Sequence, residues 1–188
     1  MPPKKKFSRD QIIEAAFEIA RTEGIDGVTI RKVADRLNSS IAPVYVNFKD
    51  VRELKKEIVN KIVELSYRLL KEEDSGSPFY DIGAASLRFA KEYPVLFQDF
   101  ITKQNEYLET YNQEMDSELV EHMKRDPDLN GFQDRELSMI LLKMRIFTVG
   151  LSTMLANDLL PGNLDEERAM EILYSTGEDL LVSARRKK

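Results

Sequence analysis

The sequence of 188 residues has no cysteine and a single histidine, His122. Without cysteine there is no disulfide, no thiolate metal site and no cysteine nucleophile. One histidine cannot supply the two Glu-x-x-His motifs that a di-iron helical bundle draws from a single chain. Glycine is sparse, and no glycine-rich phosphate loop or serine nucleophile with a partner base stands out. No enzymatic activity, cofactor or metal is therefore expected. No unbroken apolar run is long enough to span a bilayer, and Met1-Pro2-Pro3-Lys4-Lys5-Lys6 lacks the apolar centre of a signal peptide. The expectation is a soluble, cytoplasmic protein with no membrane partner.

Charge is present but unevenly spread. The net charge is −5, yet residues 1–70 hold 14 Lys/Arg against 10 Asp/Glu, and residues 71–188 hold 14 against 23. The N-terminal third is basic and the remainder acidic, which puts positive charge beside any nucleic-acid site near the N-terminus. No internal repeat or low-complexity segment is visible, and no segment reads as a strand. The expected class is all-α, with about nine helices.

The most informative stretch runs from Val28 to Phe48. Thr29 suits an N-cap, and Ile30, Val33, Ala34 and Leu37 recur at helical spacing. Asn38 tolerates the left-handed conformation that often closes a helix. Ser39 and Ser40 follow, with Ser40 as the expected cap of a second helix starting at Ile41. Pro43 falls in that helix's first turn, where a missing N–H costs no helical bond. Helix, tight turn, helix is the helix-turn-helix pattern, whose second helix enters the major groove. Two helices that merely pack would give the same pattern.

Val44 and Phe48 should face inward, leaving Ile41, Ala42, Pro43, Tyr45, Val46 and Asn47 outward. No Arg or Lys stands between Asn38 and Phe48, so bidentate arginine reading of guanine is not expected from this helix. Asn47 would pair with adenine, and Ile41, Ala42 or Val46 would meet thymine methyls. Phosphate contacts would come from Thr29, Arg31, Tyr45, Lys49 and the Lys4–Lys6 arm, with Ser39 and Ser40 completing the contact set.

Around this motif the elements follow from capping and periodicity. Ser8 and Gln11 have capping-box spacing, opening a helix that runs to Thr22 and ends at Gly24. A long helix spans about Val51 to Lys71, on a stripe of Val51, Leu54, Ile58, Ile62, Leu65 and Leu69. Asp74-Ser75-Gly76-Ser77-Pro78 is a breaker. Helices are then expected over 80–93, 95–104, 105–124, 133–157 and 165–184, with Pro161-Gly162-Asn163 before the last. The expected division is 1–48 for DNA binding, 49–71 as a connecting helix, and 72–188 for ligand binding and dimerisation.

The run from Ile12 to Leu54 resembles the N-terminal domain of TetR-type transcriptional regulators. The matching residues are the Ile13–Ala16–Phe17 face, Gly24, Gly27-Val28-Thr29, Val33-Ala34, Ser40, Leu54, and Tyr45 with Phe48 of the LYxxF motif, here Val44-Tyr45-Val46-Asn47-Phe48. The absence of a basic residue from the second motif helix departs from many members. The rest of the chain matches only in length and helical character. The resemblance implies a DNA operator as partner, a small-molecule effector of apolar or amphipathic kind, and release of the operator when the effector binds. It also implies a C-terminal domain that binds ligand and pairs two chains. Phe89, Tyr93, Phe97, Phe100, Tyr107, Tyr111, Met115, Met144 and Phe147 are the candidate ligand residues, as an adaptable aromatic and methionine lining. A homodimer is expected through the last two helices, whose Ile140, Leu141, Met144, Phe147, Leu151, Leu155, Met170, Leu173, Leu180 and Leu181 exceed the needs of one layer. The competing expectation is a helical ligand-binding or interaction protein that does not touch DNA.

Overall fold

The computed structural model of the protein describes residues 7–102, 109–157, 159–160 and 165–186. Among the described residues there are nine α-helices, two short 3-10 turns and no strand. The expected Lys4–Lys6 arm, Tyr107 and Pro161-Gly162-Asn163 lie outside the described residues. The chain packs into two compact units, Met1–Leu65 with Val95–Leu108, and Ser66–Pro94 with Glu109–Lys188.

In the first unit, α1 (Arg9–Glu23) opens on the capping box expected of Ser8 and Gln11. The Gln11 N–H donates to Ser8 Oγ at 3.1 Å, and the Ser8 N–H donates to Gln11 Oε1 at 2.9 Å. The helices α2 (Ile30–Arg36) and α3 (Ala42–Asn47) follow, and α4 (Val51–Glu72) begins after a short turn. Ile12, Ala16, Val33, Val44, Leu54, Ile58 and Ile62 are fully buried, so α1, both motif helices and α4 all contribute to the core of this unit. Burying each such side chain contributes roughly 1.5–3 kcal/mol against leaving it in water.

Helix α6 (Pro94–Thr102) also belongs to this unit, although its place in the sequence put it with the C-terminal domain. The reason is a contact across 74 residues. The buried Asp99 carboxylate accepts the Ile25 N–H at 2.7 Å, in the turn that follows α1. Gly24, at the end of α1, has a φ of 80°, and a side chain there would reach within 2.5 Å of the same Asp99 oxygen. Glycine is required on both counts.

The second unit contains residues 66–72 of α4, α5 (Pro78–Glu92), α7 (Glu109–Met123), α8 (Asp134–Ala156) and α9 (Glu166–Arg185). Its core joins Phe79, Met123, Leu137, Ile140, Met144 and Leu173. One buried carboxylate ties the ends of two helices together. Asp126, just past α7, accepts the Ser77 hydroxyl, the Phe79 N–H at 3.1 Å and the Asp128 N–H at 2.9 Å. It thereby serves the N-terminus of α5, where Ser77 makes no capping bond of its own. Nearby, burial first and the charge of Glu178 second push the Tyr80 hydroxyl up to about 12. His122 is half-buried, and burial followed by Arg125 lowers its ordinary value, which agrees with a neutral packing side chain.

Helix α8 has two unlike faces. Leu137, Ile140, Leu141, Met144 and Leu151 point into the core, and Met139, Leu142 and Ile146 stand 51, 46 and 65% exposed on the opposite side. With both faces apolar, Asp134–Leu155 is long and apolar enough to cross a membrane by length and composition, at a mean hydropathy of 1.4. The helix is not an unbroken apolar run, since Lys143 and Arg145 fall within it. Its inner face is the wall of the second unit's core.

Candidate nucleic-acid interface

The motif is built as its residues dictate. Thr29 Oγ1 caps α2 by accepting the Lys32 N–H at 3.2 Å. Asn38 takes the left-handed conformation, with φ 49°, and the Ser39 N–H returns to the Ala34 carbonyl at 2.9 Å. The second helix starts one residue later than expected. Ile41, not Ser40, occupies the N-cap position, and no side chain caps it. Pro43 lies in its first turn, where proline's fixed φ suits the helix.

Val44 and Phe48 are buried at 0 and 1% exposure, and they anchor α3 to the first unit. The opposite face is apolar and open. Ile41, Tyr45 and Val46 are 48, 53 and 59% exposed, and Ser40 and Ala42 are exposed beside them. Large apolar side chains left together in water mark a contact surface rather than a core.

Two expected contact residues point the other way. The Asn47 side chain is half-buried; its Nδ2 donates to the Pro43 carbonyl at 2.9 Å, and its Oδ1 is shut off from solvent. The Ser39 hydroxyl is likewise buried. Neither carboxamide nor hydroxyl is free to meet a base edge in this arrangement. Asn47 sits four residues beyond Pro43, on the same inward edge as Val44 and Phe48, which helical spacing alone placed too far round.

A residue that the sequence did not single out holds the end of this helix. Arg9 Nη1 donates to the Asn47 carbonyl at 2.7 Å, and Nη2 reaches Glu53 Oε1 at 3.0 Å and Glu57 Oε1 at 2.7 Å. The guanidinium also lies 4.2 Å from the centre of the Phe48 ring. It places a cation at the negative end of α3 and ties α1, α3 and α4 at one point. The Lys49 N–H first, and Arg9 second, hold the Glu53 carboxyl below the usual carboxylate range. Replacing Arg9 by methionine should loosen α3 and lower the unfolding free energy by about 1–2 kcal/mol. Arg9→Lys should not restore it, because an ammonium cannot span three acceptors as the planar fork does. Urea denaturation of both variants, followed by circular dichroism, checks this.

Around the open face the cations divide into two groups. Lys32 pairs with Glu23, Arg36 lies 3.7 Å from Glu18, and Lys55 lies 3.7 Å from Asp26. Arg31 and Lys49 are exposed, with no side-chain ion pair among the described residues.

The candidate ligand residues are divided between the two units. Phe97 is buried and Phe100 half-buried on α6, in the first unit. Phe89, Tyr93, Met115, Met144 and Phe147 belong to the second. Phe89 and Tyr93 stack at 5.8 Å, Met144 is in the core, and Phe147 packs against it. The side chain of Tyr111 lies outside the described residues, as does Tyr107. In the last two helices, Ile140, Leu141, Met144, Leu151, Leu173 and Leu181 are used inside the unit. The apolar surplus is real but falls on Met139, Leu142 and Ile146 instead, with Val182 on α9.

No protein-family model and no curated protein matches the sequence. Solved structures do match. A transcriptional regulator from Rhodococcus sp. Rha1 superposes with a TM-score of 0.69 at 19% identity, over 94% of this chain and 97% of that one. SmeT, the repressor of the Stenotrophomonas maltophilia multidrug efflux pump SmeDEF, gives 0.64 at 16%, over 92% and 89%. A TetR variant from Acinetobacter baumannii in complex with minocycline gives 0.58 at 18%, over 96% and 98%. Over nearly its whole length, the chain has the all-helical fold of TetR-type transcriptional regulators.

Proposed function

We propose that this protein is a ligand-responsive, sequence-specific DNA-binding regulator that acts in the cytoplasm as a homodimer, and that it represses. The observation that carries the reading is the open face of α3. Ile41, Ala42, Tyr45 and Val46 project from a short helix whose other side is locked by Val44, Phe48 and Arg9. Structures of like fold include a repressor and a regulator holding a drug, which supports the effector half of the proposal. A twofold pair of chains, joined over the outer face of α8, would offer two such helices to half-sites roughly 34–36 Å apart. A small apolar or amphipathic molecule in the second unit would favour one spacing over the other. Helix α4, which runs unbroken through residues of both units, would transmit it, to the extent that the molecule binds the two states unequally.

With Asn47 turned inward, base reading falls to Ile41, Ala42 and Val46, whose chemistry suits the thymine methyl. Tyr45, Thr29, Arg31 and Lys49 would hold the phosphates. The experiment is a salt-dependent mobility shift on the protein's own promoter region, followed by selection from a random duplex library. The expected result is a retarded complex and a site with A·T pairs at the contacted positions. No complex at low salt would favour an interaction protein without DNA binding, the reading that the lack of basic residues in α3 supports. An invariant G·C core opposite α3 would overturn the methyl-reading account. Lys49→Gln should weaken binding to all sequences alike and flatten the logarithmic salt dependence by about one unit. An unaltered slope would remove Lys49 from the interface.

A further inference from the structure

Four hydroxyl-bearing residues along α8 behave in two ways. Ser138 and Thr153, both exposed, donate back to the carbonyls four residues earlier, Asp134 at 2.8 Å and Val149 at 2.7 Å. This is the ordinary fate of a mid-helix hydroxyl. Thr148 and Ser152 do the opposite. Each is 2% exposed, and neither Oγ1 nor Oγ has a hydrogen-bond partner within the protein. The carbonyls one turn back were open to them on the same helical geometry, yet neither hydroxyl bonds to one. An unpaired buried hydroxyl costs roughly 1–3 kcal/mol, so two of them one turn apart, about 6 Å along the axis, call for an occupant.

The surroundings say what kind. Met144, Leu151 and Leu155 flank the pair on the inward side of α8. Among the described residues, the second unit buries no Lys or Arg that could balance an anion. Its two buried carboxylates are already engaged, Asp81 by the Ser75 N–H and Asp126 by three donors, so neither waits for a cation. Arg145, the nearest base on α8, is tied to Asp116. Two hydroxyls can each donate and accept, and an uncharged group is what they match.

We propose that Thr148 and Ser152 form the polar end of a small-molecule site inside the second unit. Its ligand is neutral and largely apolar, with one hydrogen-bonding group such as a ketone, an amide or an alcohol. The inference rests on reading this unit as the effector domain and names the effector's class.

The test takes the full chain and four naphthalenes of similar size, with affinities from isothermal titration. 2-Acetonaphthone and 2-naphthol carry one neutral hydrogen-bonding group, 2-methylnaphthalene carries none, and 2-naphthoate is an anion. The wild type should prefer the two neutral polar probes over 2-methylnaphthalene by about tenfold, because a site built to bond a polar group rejects its apolar analogue. Naphthoate should bind worst. In the double variant Thr148→Val, Ser152→Ala that preference should vanish while 2-methylnaphthalene binds as before. The ligand-free variant should melt at the wild-type temperature or above it, since apolar groups of similar shape replace unpaired hydroxyls. A melting point several degrees lower would mean that the hydroxyls already hold a water or a protein group, and would overturn the proposal. So would a preference that survives the double change, tightest binding of naphthoate, or no binding of any probe by the wild type. Operator binding is measured separately on both proteins. Its absence would sink the regulator reading while leaving the selectivity of the hydroxyl pair intact.

Discussion

Ile146→Glu is expected to leave the protein folded but monomeric, and to lower its affinity for a two-half-site operator by about a thousandfold. The side chain is 65% exposed in the single chain, so a carboxylate there is fully hydrated and costs the monomer little. In a twofold pair it would face its own copy near the axis. Two unpaired anions would then be buried against the apolar stripe of Met139 and Leu142. Gly150 lies on the same stripe, one turn on, and a side chain there would meet nothing within 4 Å, so two α8 helices have room to approach closely. Joining two binding modules raises apparent affinity by about 10²–10⁴ through effective concentration alone, and a monomer forfeits that gain. Sedimentation velocity reports the assembly state, and titrations on one and two half-sites report the affinity. A variant that stays dimeric with full operator affinity would move the dimer interface off α8.

Asp126→Ala should be the most damaging change in the second unit, at about 3 kcal/mol of unfolding free energy. The carboxylate accepts from Ser77, Phe79 and Asp128 in one buried place, and alanine would leave the Phe79 N–H without a partner. Asp126→Asn keeps an acceptor oxygen but replaces the other with a donor, so it should recover only part of the loss. Urea denaturation of the full chain measures both. A cost under about 0.5 kcal/mol, typical of a surface change, would show that water serves the α5 N-terminus equally well.

Much of this architecture was legible because its signals are local. Ser8 and Gln11 are three residues apart, Asn38 closes its own helix, and the stripe from Leu54 to Leu69 repeats every turn. What escaped notice depends on distance in sequence. Arg9 meets Asn47 and Glu57 across 38 and 48 residues, and Asp99 meets Ile25 across 74. No periodicity carries such pairings. Helix α8 hid its outer face for a different reason. It is apolar on two opposite sides, so the pattern announces a buried helix without saying which side belongs to its own core. Asn47 illustrates a third limit, since a polar side chain at the margin of a short helix can turn either way, and its carboxamide turned toward Pro43.

On the proposed reading of α3 as the groove-contacting helix, its uncharged tip would make the protein responsive to methyl marks on DNA. Ile41 and Val46 would recognise a methyl group standing in the groove rather than the ring that bears it. Cytosine modified at carbon 5 carries that group at the corresponding place, so to this helix a modified C·G pair would resemble T·A. Uracil, which lacks the methyl, would not pass for thymine. A cell that methylates cytosine would thereby shift the set of sequences this protein occupies without altering a single letter of them.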